Sequence, residues 1–159
     1  MSARKTSKEV VPLTEPSYLA VIRNSVGTRM FRNFYAEVDG KRRDIMRDGD
    51  LSCAFFVSSV LVLFGHLKRV HATVKSTVAE LERRGWQAVR APRAGDVLVW
   101  EAVRDTRGNL HTHIGFALGN GLAVSNLSEP GVPMRHSATF GMKGGKPRRR
   151  IIAAYRKPA

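Results

Sequence analysis

Up to about residue 86 the apolar positions of this chain fall in helix-length segments separated by polar stretches, and beyond residue 95 they form short β-like runs. Ser17, directly after Pro16, is a natural N-cap, so residues 17–24 predict a first helix that closes at Asn24-Ser25-Val26-Gly27. Residues 1–15 predict a flexible polar arm. Residues 30–38 are apolar and aromatic without a clear period. Asp39-Gly40-Lys41 is a turn signal, and 42–50 reads as a polar loop. Residues 53–64 are almost wholly apolar. Their length, the polar pair Ser58-Ser59 and the stop at Gly65 favour a helix over a buried strand. Val70, Val74, Val78 and Leu81 then predict a second long helix ending at Gly85.

The β rhythm starts with 97–100, followed by a hairpin-like loop at 105–109 and a strand at 113–118. Gly119-Asn120-Gly121 is a turn of the kind that joins antiparallel strands, here to a strand at 122–126. Residues 128–131 read as loop, and 151–155 as a last strand entered from a basic loop at 144–150. Helices first and antiparallel strands afterwards describe an α+β fold, with one domain over residues 16–159.

Charge adds a partner class. The chain of 159 residues has 27 basic and 13 acidic side chains, a net charge of +14. From Lys143 onward there are seven basic residues and no acidic one. An anionic polymer met through Lys143, Lys146, Arg148, Arg149 and Arg150 fits that excess, whether nucleic acid, an anionic membrane surface or a cell-wall polymer. Aromatic residues are not interleaved with these charges, which weakens a base-stacking mode. The single cysteine excludes an internal disulfide framework and a cysteine-based zinc knuckle. The histidines have no HxxxH or HExxH spacing, and the glycines at 141–145 lack the spacing of a phosphate loop, so neither metal nor cofactor is expected. His66 and His71 flank the interhelical loop and are expected in solvent. No signal peptide is visible, and 53–64 is too short to span a bilayer. The chain therefore reads as soluble and, by default, cytoplasmic, with a non-classical or lysis-dependent export route as the alternative.

The candidate chemistry centres on Cys53. At a helix N-terminus, free N–H groups and the helix dipole favour a thiolate, whereas a free cysteine elsewhere is usually core packing. His113 starts a strand whose Ile114, Phe116 and Leu118 share one face, so it points to the other, beside the small Gly115 and Ala117. His111 shares that face, but His113 lies deeper in the apolar segment. A polar residue should orient the imidazole. Ser125 and Asn126 on the next strand point to opposite faces. Asn126 is preferred for its amide oxygen and its reach, with Ser125 as runner-up and His136 as a further candidate.

Four segments in this order resemble the NlpC/P60 group of papain-like cysteine peptidases. Cys53-Ala54-Phe55-Phe56-Val57 is similar to its nucleophile motif. Pro92-Arg93-Ala94-Gly95-Asp96-Val97 is similar to its Pro-x-x-Gly-Asp-hydrophobic segment. His113-Ile114-Gly115-Phe116-Ala117-Leu118-Gly119-Asn120-Gly121 is similar to its histidine strand, and 122–126 to the strand bearing the third polar residue. The chain differs at Ser52 and Ala54, where the family usually has Asp and Ser, and at Phe55, usually small. The family's third position, counted from the histidine, falls on Ser125. The resemblance implies a papain-like fold with the cysteine-bearing helix packed on an antiparallel sheet. It implies amide hydrolysis by Cys53, His113 and Asn126 or Ser125, often in peptidoglycan stem peptides. A weakened domain of this kind that binds an anionic polymer is the rival expectation.

Overall fold

The first helix, α1 (Thr14–Asn24), starts three residues before the predicted cap in the computed structural model, which describes residues 8–105 and 107–159. Pro16 lies within its first turn, where the missing N–H leaves no bond unmade. Ser17 Oγ donates to Leu13 O at 2.7 Å instead of capping. The apolar side of α1 buries Tyr18 and Ile22, and the Tyr18 hydroxyl donates to Gly95 O at 2.8 Å. This bond ties α1 to the turn that opens the sheet. Residues 1–7, most of the expected arm, lie outside the described residues.

Strands β1 (Tyr35–Val38) and β2 (Lys41–Asp44) form a hairpin around Asp39 and Gly40, both at positive φ (52° and 69°). That left-handed pair matches the twist of a two-residue hairpin turn. The start of the expected polar loop is therefore paired strand. Its unbroken run of charges, Lys41-Arg42-Arg43-Asp44, hides a pairing supported on the surface by the Arg42 guanidinium over the Tyr35 ring.

Helix α2 (Cys53–Leu63) follows the predicted run and buries Ala54, Phe56, Val57, Val60 and Leu61. Helix α3 (Val74–Arg83) starts later than the valine spacing suggests, because Thr73 caps it by accepting from Ser76 N at 3.1 Å. His71, expected in solvent, is tucked against Glu80, Nε2 to Oε2 2.6 Å. Glu80 also accepts from Lys68 N, so one buried carboxylate organises the interhelical loop. His66 is likewise partly buried, between the Tyr18 and Trp86 rings.

The remaining chain runs through β3 (Gln87–Ala88), β4 (Val97–Arg104), β5 (Leu110–Gly119), β6 (Leu122–Leu127), β7 (Val132–Ser137), β8 (Met142–Lys143), β9 (Lys146–Pro147) and β10 (Ile151–Arg156). Six of these form an antiparallel sheet in the order β3-β10-β4-β5-β6-β7, and β8 and β9 form a separate basic hairpin. Strand β7 was not expected. Pro133 within it suits only an edge, and β7 is the edge.

The pleat sorts the core onto two faces. Val97, Val99, Ile114, Phe116 and Val124 meet Phe56, Val57, Val60 and Leu61 of α2. Leu98, Trp100, Ala117, Ala123 and Ala154 form a smaller core on the other face. The architecture is α+β, with helices packed against an antiparallel sheet and Cys53 at the start of α2. Among the described residues, no helix is long and apolar enough to cross a membrane.

Candidate active site

The segment before Cys53 is held by carboxylates that accept from backbone N–H groups. Asp44 accepts from Phe34 N (3.0 Å), Met46 N (3.1 Å), Asp48 N (2.8 Å) and the Asn33 amide (2.7 Å). Burial opposes its charge, yet these donors hold its carboxyl below the usual range. Arg32 grips Asp48 with two bonds, 2.7 and 2.9 Å, and donates to Pro130 O at 3.1 Å. Arg47, Asp48 and Gly49 all have positive φ, which turns the chain sharply into α2. A Cβ on Gly49 would lie 2.2 Å from Gly131 O, so only glycine fits against the β6–β7 turn. Ser52 spends its hydroxyl on Phe31 O rather than capping α2, so the first-turn N–H groups stay unoccupied by a cap.

Asn126, expected to orient the imidazole, belongs to this clamp. Its side chain is buried and its Nδ2 donates to Gly49 O at 2.7 Å. Strand alternation puts it on the face opposite Ser125. Ser128 Oγ adds a bond to Asp50 O at 3.1 Å. The structure does not bring Asn126 to His113.

It brings Ser125 there instead. His113 Nε2 lies 2.7 Å from Ser125 Oγ, and the same oxygen lies 2.7 Å from His136 Nε2. His136 Nδ1 lies 2.7 Å from Ser137 O. Trp100 and Phe140 wall this row, their centroids 5.4 and 5.7 Å from the His113 ring. Gly115 leaves the space: a Cβ there would stand 2.7 Å from Ser125 Cβ and 3.1 Å from the Trp100 ring. The sequence offers His136 only as a candidate third residue. Its link to His113 depends on β7, whose proline obscured the strand.

Cys53 and His113 line one cleft of about 430 Å³, together with His111, Arg149, Thr73 and Lys75. Among the described residues no hydrogen bond joins the sulfur to the imidazole, and Ser125 engages only the far nitrogen, Nε2, of His113. Burial pushes the Cys53 thiol up. The N–H groups of Ile114, Ala54 and Cys53 and the Arg149 charge pull it back without cancelling the rise. The helix N-terminus therefore does not leave a resting thiolate. Burial, then Arg149 and His136, bring His113 down to about 3. The pair rests as neutral thiol and neutral imidazole.

The sequence places Arg149 in a basic loop expected to meet an anionic polymer. Its Nε donates to Glu101 O (3.0 Å) and its Nη2 to His111 O (2.7 Å), which turns it into the cleft. Arg150 is paired with Glu101 at 2.8 Å, whereas Lys143, Lys146 and Arg148 are exposed. Nothing in the run Arg148-Arg149-Arg150 separates the inward residue from its neighbours. His111 pairs with Asp105, Nε2 to Oδ2 3.0 Å. Partial burial opposes the Asp105 charge, but the Asn109 N–H and His111, among others, bring its carboxyl down to about 2. Among the described residues no group of three or more His, Cys, Asp and Glu side chains is arranged for a metal ion. No family model and no curated protein matches the sequence.

Proposed function

We propose that the chain is a cysteine amidohydrolase or peptidase of papain-like, NlpC/P60-like type that opens an amide bond in a peptide, with peptidoglycan stem peptides as the substrate class. One observation carries the reading: a thiol at a helix N-terminus shares a cleft with a histidine whose far nitrogen is fixed by a buried hydroxyl. The substrate class rests on the four ordered motifs alone.

The resting pair is neutral, so proton transfer accompanies attack. Cys53 sulfur bonds to the carbonyl carbon as its proton passes to His113 Nδ1, the nitrogen Ser125 does not engage. The oxyanion meets the Cys53 backbone N–H at the uncapped start of α2. The C–N bond breaks, and His113 returns the proton to the leaving amine. Water, deprotonated by His113, then hydrolyses the thioester and the thiol is restored. Ser125 orients the ring.

The test is turnover of peptidoglycan stem peptides followed by mass spectrometry. The wild type should release a new amine and carboxylate, and Cys53→Ala and His113→Ala should not. A peptidyl electrophile should label Cys53 in a His113-dependent way. Products from Cys53→Ala, or labelling indifferent to His113→Ala, would overturn the proposal. The exposed Lys143, Lys146 and Arg148 favour the second reading, an anionic-polymer binder. That reading prevails if Cys53→Ala keeps the biological effect and binding falls steeply with salt.

A further inference from the structure

We infer that His136 is a positioning residue that acts through Ser125 to fix which nitrogen of His113 carries the proton. The inference rests on the reading of His113 as the base for Cys53. It starts from the one group in the row whose role has no alternative. Ser137 O is a carbonyl and can only accept, so His136 Nδ1, 2.7 Å away, carries a hydrogen. A neutral His136 then has a bare Nε2, and burial keeps this ring neutral by lowering its pKa. The bare Nε2 lies 2.7 Å from Ser125 Oγ and must accept, so the single hydroxyl hydrogen of Ser125 points to His136. Ser125 Oγ faces His113 with a lone pair at 2.7 Å, so His113 Nε2 carries the hydrogen. Nδ1 of His113 is left bare, as a base requires.

The direction of every hydrogen bond in the row thus descends from one backbone carbonyl. The two histidines are held in opposite tautomers, Nδ1–H for His136 and Nε2–H for His113. Ser125 is 0% exposed and spends both its donor and an acceptor within the row. Phe140 stacks on His136 with centroids 4.1 Å apart, which holds the ring edge-on to Ser125. No carboxylate takes part. A lone serine could rotate its hydrogen toward His113 and stabilise the opposite tautomer. His136 removes that freedom.

The direct test is 15N NMR of imidazole-labelled full-length protein at neutral pH. It should find His113 as the Nε2–H tautomer and His136 as the Nδ1–H tautomer. His113 as Nδ1–H, or both rings in one tautomer, would overturn the inference without any variant. In His136→Phe, His113 should lose its single tautomer and kcat should fall about 100-fold at little-changed KM. His136→Gln, whose side-chain oxygen can accept from Ser125, should recover most of both. A His113 spectrum and kcat unchanged in His136→Phe would also overturn it. Should the tautomers be as stated and turnover be absent, the inference holds and the hydrolase reading fails.

Discussion

Cys53 and His113 reach one cleft from two supports of opposite chemistry. Beneath Cys53 the chain is fastened by carboxylates: Asp44 gathers three backbone N–H groups, and Asp48 takes two bonds from Arg32. Behind His113 there is no carboxylate, only a hydroxyl, a second imidazole and a carbonyl. The first support is near solvent and must hold three left-handed residues in place, which charge-assisted bonds do well. The second is walled by Trp100 and Phe140, where an unpaired charge would be costly. Ring orientation can thus be supplied by the direction of neutral hydrogen bonds, while backbone placement here depends on charge.

Each support has a glycine at its tightest approach, and substituting the two in turn separates their roles. Gly49→Ala should have the largest effect. It sets a methyl 2.2 Å from Gly131 O at a residue with φ of 91°. Neither backbone can yield without breaking the Asn126–Gly49 bond. A loss of about 3–5 kcal/mol is expected, seen as a melting temperature lower by about 6–20 °C. Gly121→Ala, at φ of 72° with nothing within 4 Å, is the control and should cost only about 1 kcal/mol. Equal melting temperatures for the two variants would remove the clamp from the account.

Gly115→Ala comes next and should act on activity more than on stability. Its methyl would meet Ser125 Cβ at 2.7 Å and Val124 O at 2.5 Å, which pushes β6 away from His113. Overpacking of about 2 kcal/mol is expected from thermal denaturation, with kcat lower by about 100-fold. Loss of stability with normal kcat would mean that the His113–Ser125 bond is not needed for turnover.

The same contrast decides what was legible in the sequence. The apolar run 53–64 and the alternation through 113–118 each pack into the core, so length and the Gly65 stop indicate α2, and period indicates β5 and the face on which His113 lies. Gly119-Asn120-Gly121 fixes the β5–β6 turn through local backbone preference. Reach and an amide oxygen favour Asn126 over Ser125 in the sequence, whereas strand parity and the position of the Gly49 turn favour Ser125 in the structure. Asn126 is taken by Gly49 O, a contact 77 residues away that no local pattern encodes. Arg149 and His136 were hidden for the same reason. One is inward in a run of three arginines, and the other sits on an edge strand whose proline reads as loop. The hairpin of β1 and β2 carries charges on both faces, so no apolar alternation marks it.

The smallest effect comes from Asp44→Asn. The variant keeps one acceptor oxygen and loses the other with the charge, so about 1–2 kcal/mol should go at neutral pH, a shift of about 2–8 °C in melting temperature. Its value lies in the pH dependence. Asp44 has a folded pKa below its unfolded one, so its contribution is full above the ordinary aspartate range and disappears as pH falls through the folded value. His113 also has a lowered folded pKa, about 3, so its neutral ring favours the fold above the unfolded value near 6.5. That contribution falls as pH drops from about 6.5 toward 3. Wild-type melting temperature should therefore decline in two stages, a gradual one starting near pH 6.5 and a steeper one below about pH 4. Asp44→Asn should keep the first stage and lessen the second, to which the lowered carboxyls of Asp48, Glu80, Glu101 and Asp105 also contribute. A His113→Asn variant should keep the second stage and lessen the first, to which His66 and His136 also contribute. If both substitutions lessened the same stage, the two supports would not be separate electrostatic systems, and the contrast between a charged clamp and a neutral row would fail.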